Sequence, residues 1–286
     1  MTAGGRRVVN HVMGGLTALA AGLVILPLVL IFAFLLFQGA SAVNVEFFTH
    51  LPKPVGEEGG GMANAIVGSL ILIGLAAGLG LPIGILGGVY LAESRDRRLP
   101  WIVRFLADVL NGVPSIVVGI FAYGLVVLPM RRFSALAGAV ALAVIMLPIV
   151  VRTSEELVRL VPASLREAAL ALGIPEWKVV LRVVLPTARA GIVTGVMVAI
   201  ARVAGETAPL LFTAFGNRTE IAISLFAPGH TMASVIANEF TEATSDLYLA
   251  ALIEVGLLLF LVTVAVNALA RLLVWSVGGA VKVTRE

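Results

Sequence analysis

The sequence predicts an all-α, polytopic membrane protein with six transmembrane helices. Three observations carry that expectation. Of 286 residues, 59% are apolar and only 13% are charged, whereas ordinary soluble domains carry about 25% charged residues. Mean hydropathy is +1.05, more apolar surface than a soluble chain of this length can cover, and too much for disorder. Six runs reach or approach the roughly 20 residues needed to cross about 30 Å of hydrocarbon. A single transmembrane domain over 1–286 is expected, with no room for a soluble one.

The first run, 12–37, follows Arg6-Arg7 and ends near Ala40-Ser41-Ala42, which looks like a signal-peptidase site. Its length exceeds the about 7–15 residues of a signal core, so it reads as a retained span. The second run is 64–91. The third, 103–129, is interrupted by Pro114, and the fourth, 135–151, is short. The fifth is 190–215 and the sixth 247–274. Between spans, Gly56-Glu57-Glu58-Gly59-Gly60-Gly61 reads as a flexible loop. No internal repeat is visible, which counts against the inverted-repeat design of many secondary transporters.

Basic residues orient the spans. With the N-terminus inside, inner segments hold fifteen Lys and Arg, from Arg6 and Arg7 through Arg95–Arg104 and Arg152–Arg189 to Arg271, Lys282 and Arg285. Outer segments hold four: Lys53, Arg131, Arg132 and Arg218. The imbalance places both termini in the cytoplasm. Although the pI is 9.7, the net charge is only +3 and is scattered, so no nucleic-acid partner is expected. There is no Cys, and the three His lack metal-ligand spacing. Disulfides, zinc clusters and thiol nucleophiles are thereby excluded.

The inner loop 152–189 is too long for a connector. Ser164-Leu-Arg-Glu167 has capping-box spacing, and Gly173 stands where a left-handed residue would end the helix. Pro175 suits the start of a second helix that ends before Pro186. Two short helices on a glycine hinge are expected. They serve either as an interfacial hairpin on the headgroups or as a docking element for a cytosolic partner.

Charges inside the spans mark the other candidate site. Arg202 and Glu206 are four apart, and on a continuous helix they share a sector of about 80° with Gly191, Gly195 and Ala199. An Arg at mid-bilayer costs about 2.5–3.5 kcal/mol on insertion scales, so this sector faces protein or a polar cavity. The pair is either a packing ion pair or part of an anion path, for which a guanidinium is geometrically suited. In the third span Asp108, Asn111, Gly112, Ser115 and Gly119 would share about 100° of an ideal helix. That face is either a proline-kinked packing stripe or, at a helix restarting near Ser115, an anion site. Arg152 opens the inner loop, as a headgroup anchor or the exit of a path. Glu254 lies alone in the last span, with no role assigned.

Glu167-Ala-Ala-Leu-Ala-Leu-Gly173 followed by Leu185-Pro186 resembles the EAA loop of ABC-importer permeases. Asp108-Val-Leu-Asn-Gly-Val-Pro-Ser-Ile-Val-Val-Gly119 and Ala201-Arg-Val-Ala-Gly-Glu-Thr-Ala-Pro-Leu-Leu-Phe212 resemble the A-type permeases of phosphate ABC importers. Thr231-Met-Ala-Ser-Val-Ile-Ala-Asn-Glu-Phe240 and the final span look more like the companion C-type permeases. The resemblance implies a type I ABC-importer permease in a bacterial inner membrane. It implies a coupling loop at 152–189 that docks an ATPase through Glu167, Ala168, Ala169 and Gly173, and a phosphate path involving Arg202, Glu206, Thr207, Asn111, Ser115 and Arg152. The implied partners are a second permease, a cytosolic ATPase dimer, an extracytoplasmic phosphate-binding protein and membrane lipid. No G-x-x-x-x-G-K-[ST] occurs in the chain, so no catalytic residue or cofactor is expected here; ATP and Mg belong to the ATPase. A permease for sulfate or molybdate, and a secondary transporter or channel, stay open as alternatives.

Overall fold

A computed structural model describes residues 3–39, 44–54, 57, 59–96, 98–221 and 223–278, and all regular structure among them is helical. The residues resembling a cleavage site, Ala40-Ser41-Ala42, lie outside the described residues, as do Gly56, Glu58, Arg97, Lys282 and Arg285.

Helix α1 (Ala3–Gly39) is apolar on every side over its span and exposed from Val9 to Ile31, as a lipid-facing helix is. It packs on the last span. A short helix, α2 (Val45–Thr49), follows, capped by the Asn44 side chain accepting from the Phe47 amide at 2.7 Å. Helix α3 (Ala63–Glu93) carries a buried row at every fourth position, Gly68, Leu72, Ala76, Gly80, Gly84 and Gly88, all small except Leu72. Four-residue spacing keeps them on one face. A side chain at Gly84 or Gly88 would collide with Val150 or Ser154 of α6 (Ala135–Arg159). This stripe lets α3 and α6 approach closely, and the pair forms the centre of the molecule.

The third span is a bent pair, α4 (Arg98–Gly112) and α5 (Ser115–Met130), meeting at 105°. Pro114 has no amide hydrogen to continue the ladder, and it sits in extended backbone (φ −57°, ψ 134°). The straight face expected for Asp108 through Gly119 is therefore not formed: Ser115 and Gly119 belong to a differently directed helix, with Gly119 against Pro209. Counting the pair as one, the described residues hold six helices long and apolar enough to cross a membrane.

Several boundaries differ from the sequence expectation. Helix α6 runs to Arg159 rather than stopping near 151, because its last two turns carry charges that pair with one another and with α4. Helix α7 (Ala163–Ala171) starts at Pro162 without a side-chain cap, so the Ser164–Glu167 capping box does not form. The second half of the inner loop is not a separate helix. Helix α8 (Glu176–Ala204) passes Pro186 through a π turn at Val180–Val184 and becomes the penultimate span. A π turn accommodates the amide that proline lacks.

Helix α8 ends at Ala204, with Gly205 as its cap, well before the expected 215. A short helix α9 (Ala208–Leu211) leads to a left-handed turn at Phe215 and Gly216. The following loop folds over the start of α6: the amides of Ala135 and Leu136 donate to the carbonyls of Ala227 and Leu225 at 2.8 and 2.9 Å. Those amides would otherwise be orphans of a helix N-terminus. Helix α10 (Met232–Glu239) was not foreseen. Its Thr231 and Ser234 form a reciprocal capping box with Ser in the place usually taken by Glu. The last span is α11 (Asp246–Gly278).

Candidate functional site

Arg202 stands in the last turn of α8, while Glu206 lies past the helix end and so leaves the sector expected for it. The two still face each other at 3.8 Å, an ion pair too long for a hydrogen bond. The Glu206 side chain is only 15% exposed, but that of Arg202 is 56% exposed. The rest of the small-residue sector packs on α6: Gly191 against Leu157, Gly195 against Thr153, and Ala199 fully buried. Arg202 continues this row to where protein cover ends.

The bend between α4 and α5 closes the same spot. Asn111 and Ser115, on either side of Pro114, line one small cleft with Arg202, walled by Val113, Val118 and Ile145. Its free volume, about 20 Å³, holds one water and no larger anion. Three of the six expected path residues thus converge. Thr207, half-buried at the start of α9, makes no capping bond with its side chain. Arg152 is elsewhere: it lies within α6, not at the start of a loop, and pairs with Asp108 at 3.3 Å and Glu155 at 3.4 Å.

Glu155 was missed by the sequence reading. Its side chain is 3% exposed and receives Arg104 at 2.6 Å, Arg159 at 3.0 Å and Arg152. Arg152 and Arg159 flank it at i−3 and i+4, the helix spacing that could have revealed it. Arg104 and Arg159 also donate to the Leu91 carbonyl at 3.2 and 3.3 Å. This is the arginine-rich end of the bundle.

The hairpin α7–α8 projects from that end. Gly173 has φ +75°; its amide donates to Leu170 O at 2.9 Å, and the Ile174 amide to Ala169 O at 3.3 Å. This is a Schellman ending, which needs the left-handed residue that glycine supplies. Glu167 and Ala168 are exposed, together with Leu172 (81%) and Trp177 (61%). Ala169 is not available to a partner: it is buried against Val158, Val161 and Val179, holding the hairpin to α6. Arg166 fastens α7 further, pairing with Glu93 and donating to Val158 O at 2.8 Å. Arg95 pairs with Glu176.

At the opposite end Arg218 pairs with buried Glu239 at 2.8 Å, and Tyr248 donates to the same carboxylate at 2.5 Å. A cavity of about 340 Å³ lies beside them, lined among others by Lys53, Glu46, Glu57 and Glu254. Neither carboxylate oxygen of buried Glu254 has a hydrogen-bond partner. Burial, and after it the Arg218 charge, lowers the pKa of His230 to about 4, so it is neutral at physiological pH. Among the described residues no group of His, Cys, Asp and Glu could hold a metal ion.

Residues 84–277 match the family described as "Binding-protein-dependent transport system inner membrane component". The chain is similar to the "Phosphate transport system permease protein PstA" of Yersinia pestis, 49% identical over 182 residues, 63% of this chain and 62% of that relative, less than two thirds of its length. It is 46% identical to the protein of the same name from Pasteurella multocida over 214 residues, 74% of this chain and 76% of the relative. Among solved structures, an inward-facing MetNI methionine ABC transporter aligns with a TM-score of 0.58 at 18% identity, over 75% of this chain and 93% of that one.

Proposed function

This chain belongs to the family of binding-protein-dependent transport system inner membrane components, and on that premise we propose that it is the A-type permease subunit of an ATP-driven phosphate importer. It has the type I ABC-importer permease fold and is a multi-pass inner-membrane transport subunit rather than an enzyme. One observation carries the substrate assignment. The Arg202 guanidinium, more than half exposed and only loosely paired, borders a closed cleft with the side chains of Asn111 and Ser115. A phosphate shedding water needs charge-assisted and neutral hydrogen bonds in exchange, and this set offers both. The relatives' printed role in phosphate transport supports the same substrate, and their shared name supports the A type despite the C-type flavour of residues 231–240.

In this reading the cleft is the path in a closed state, with Arg202, Asn111, Ser115 and Thr207 along it and Glu206 moderating the Arg202 charge so that the anion passes on. Arg152, paired on both sides, belongs to the exit. The exposed face of the hairpin, with Glu167, Ala168 and Leu172 on the α7 side and Trp177 on α8, docks the ATPase, and Gly173 sets the angle between the two helices. ATP and Mg are bound by that ATPase dimer. A second permease covers the open side of Arg202, and a phosphate-binding protein delivers at the end carrying the 340 Å³ cavity. When the chain is purified from cells expressing the whole system, an ATPase is expected to co-elute; a chain that elutes alone and is fully active contradicts the proposal.

The proposal sets the arginine-rich end in the cytoplasm, with both termini. The chain has no Cys, so single cysteines report side directly. Glu57→Cys is expected to react with an impermeant thiol reagent added outside spheroplasts, and Leu172→Cys only after lysis. Both positions are exposed, so the reverse labelling pattern overturns the orientation.

A further inference from the structure

Glu155 lies where α3, α4, α6 and α7 meet. Its buried carboxylate takes Arg104 from α4 at 2.6 Å and Arg152 and Arg159 from its own helix at 3.4 and 3.0 Å. Arg104 and Arg159 share the Leu91 carbonyl near the end of α3. Arg152 reaches on to Asp108 of α4, itself 58% exposed. One turn below, Val158 O accepts from Arg166 of α7 at 2.8 Å. Three cations thus converge on one buried anion, and without it they would face one another in a site water only partly reaches.

The contacts holding these helices are unequal. Helices α3 and α6 interlock through the small-residue stripe and need no ion. Helix α7 is fixed to α6 by Ala169 and Arg166. Helix α4 has little apolar anchorage: of its side chains only Pro100 and Ala107 are buried, while Trp101, Ile102, Phe105 and Leu106 face outward. Its ties to α6 are Arg104–Glu155 and Asp108–Arg152. Four residues beyond Asp108, α4 ends at the Pro114 bend whose flanks, Asn111 and Ser115, form the cleft with Arg202.

We infer that Glu155 is a positioning residue that transmits displacement of α7 to α4, and through the bend to the cleft at Arg202. It touches no anion in transit. The inference rests on the proposed docking of the ATPase at α7. A shift of α7 moves the end of α6, and α4 follows through its two ion pairs, chiefly the Arg104–Glu155 leg, whose carboxylate is buried where that of Asp108 is exposed. Chains of packed and ion-paired elements of this kind can carry energetic coupling between distant sites.

The test is phosphate uptake per ATP hydrolysed, measured on the whole complex in proteoliposomes. Glu155→Gln keeps a hydrogen-bond acceptor but loses the charge, and Arg104→Gln removes the buried α4 leg together with its donation to Leu91 O, leaving Arg152–Asp108 in place. Both are expected to lower uptake per ATP about tenfold while the ATPase stays bound and active. Glu155→Asp is expected to recover part of the loss. Arg159→Gln is expected to keep the parental ratio, because α6 is already held to α3 by packing. A parental ratio in Arg104→Gln overturns the inference, as does an equal fall in Arg159→Gln, which would make the cluster a general charge balance. If Glu155→Gln does not assemble, Arg104→Gln decides alone. Failure of the docking reading appears separately, as an ATPase that no longer depends on the hairpin for co-elution.

Discussion

Arg202→Gln is expected to lower phosphate uptake about 10- to 100-fold while the complex still assembles. The pair with Glu206 is loose, at 3.8 Å, and the Arg202 side chain is 56% exposed in the isolated chain. Exposed pairs of this kind contribute about 0–1 kcal/mol to stability, so folding should tolerate the change. The transport loss is larger because a hydrogen bond to a charged group is worth about 1.5–3 kcal/mol, and about 1.4 kcal/mol is a factor of ten. Glutamine also leaves Glu206, 15% exposed, unpaired beside the cleft, adding repulsion of the anion to lost attraction. The double variant Arg202→Gln/Glu206→Gln is therefore expected to recover part of the uptake. Radiolabelled phosphate uptake together with subunit stoichiometry checks both. Poor assembly of the single variant, restored in the double, would show that the pair only fixes packing.

Gly173→Val is expected to abolish transport through loss of ATPase association, with membrane insertion intact. No atom lies within 4 Å of the position where its side chain would begin, so the effect is one of backbone and not of collision. At φ +75° a side chain costs about 1–2 kcal/mol, and a β-branched one resists this conformation most. Relief requires α7 to swing relative to α8, which moves Trp177 apart from Glu167, Ala168 and Leu172. Gly173→Asn is expected to keep most activity, since asparagine tolerates the left-handed region. Co-purification of the ATPase reads the difference; equal retention by the valine and asparagine variants contradicts the docking role.

Hydropathy made the spans legible because lipid demands long apolar helices with every backbone group satisfied internally. It was weakest where side-chain pairing or backbone irregularity sets the boundary. The charges from Arg152 to Arg159 read as a loop, yet they pair with one another and with α4, so the helix continues through them. Pro186 read as a stop, yet the π turn before it carries α8 onward. Pro114 was visible as an interruption, but a bend of 105° depends on what α5 packs against, here Pro209 beside Gly119. The candidate site was partly legible. Arg202, Asn111 and Ser115 were readable as polar residues inside apolar runs, and the structure brings them to one cleft. Glu155 was not singled out, because its arginines looked like inner-loop charge and its α4 partner is 51 residues away. Ala169 read as part of the docking motif, but the tertiary packing of the hairpin turns it inward.

Uptake by the reconstituted complex tests the central claim most directly. Proteoliposomes containing this chain and its co-purified subunits, with the binding protein added outside and ATP or no ATP inside, are given labelled phosphate or labelled sulfate. The account predicts accumulation of phosphate only when ATP is inside, with sulfate at background. Equal accumulation of sulfate, or phosphate uptake unaffected by ATP, would contradict it.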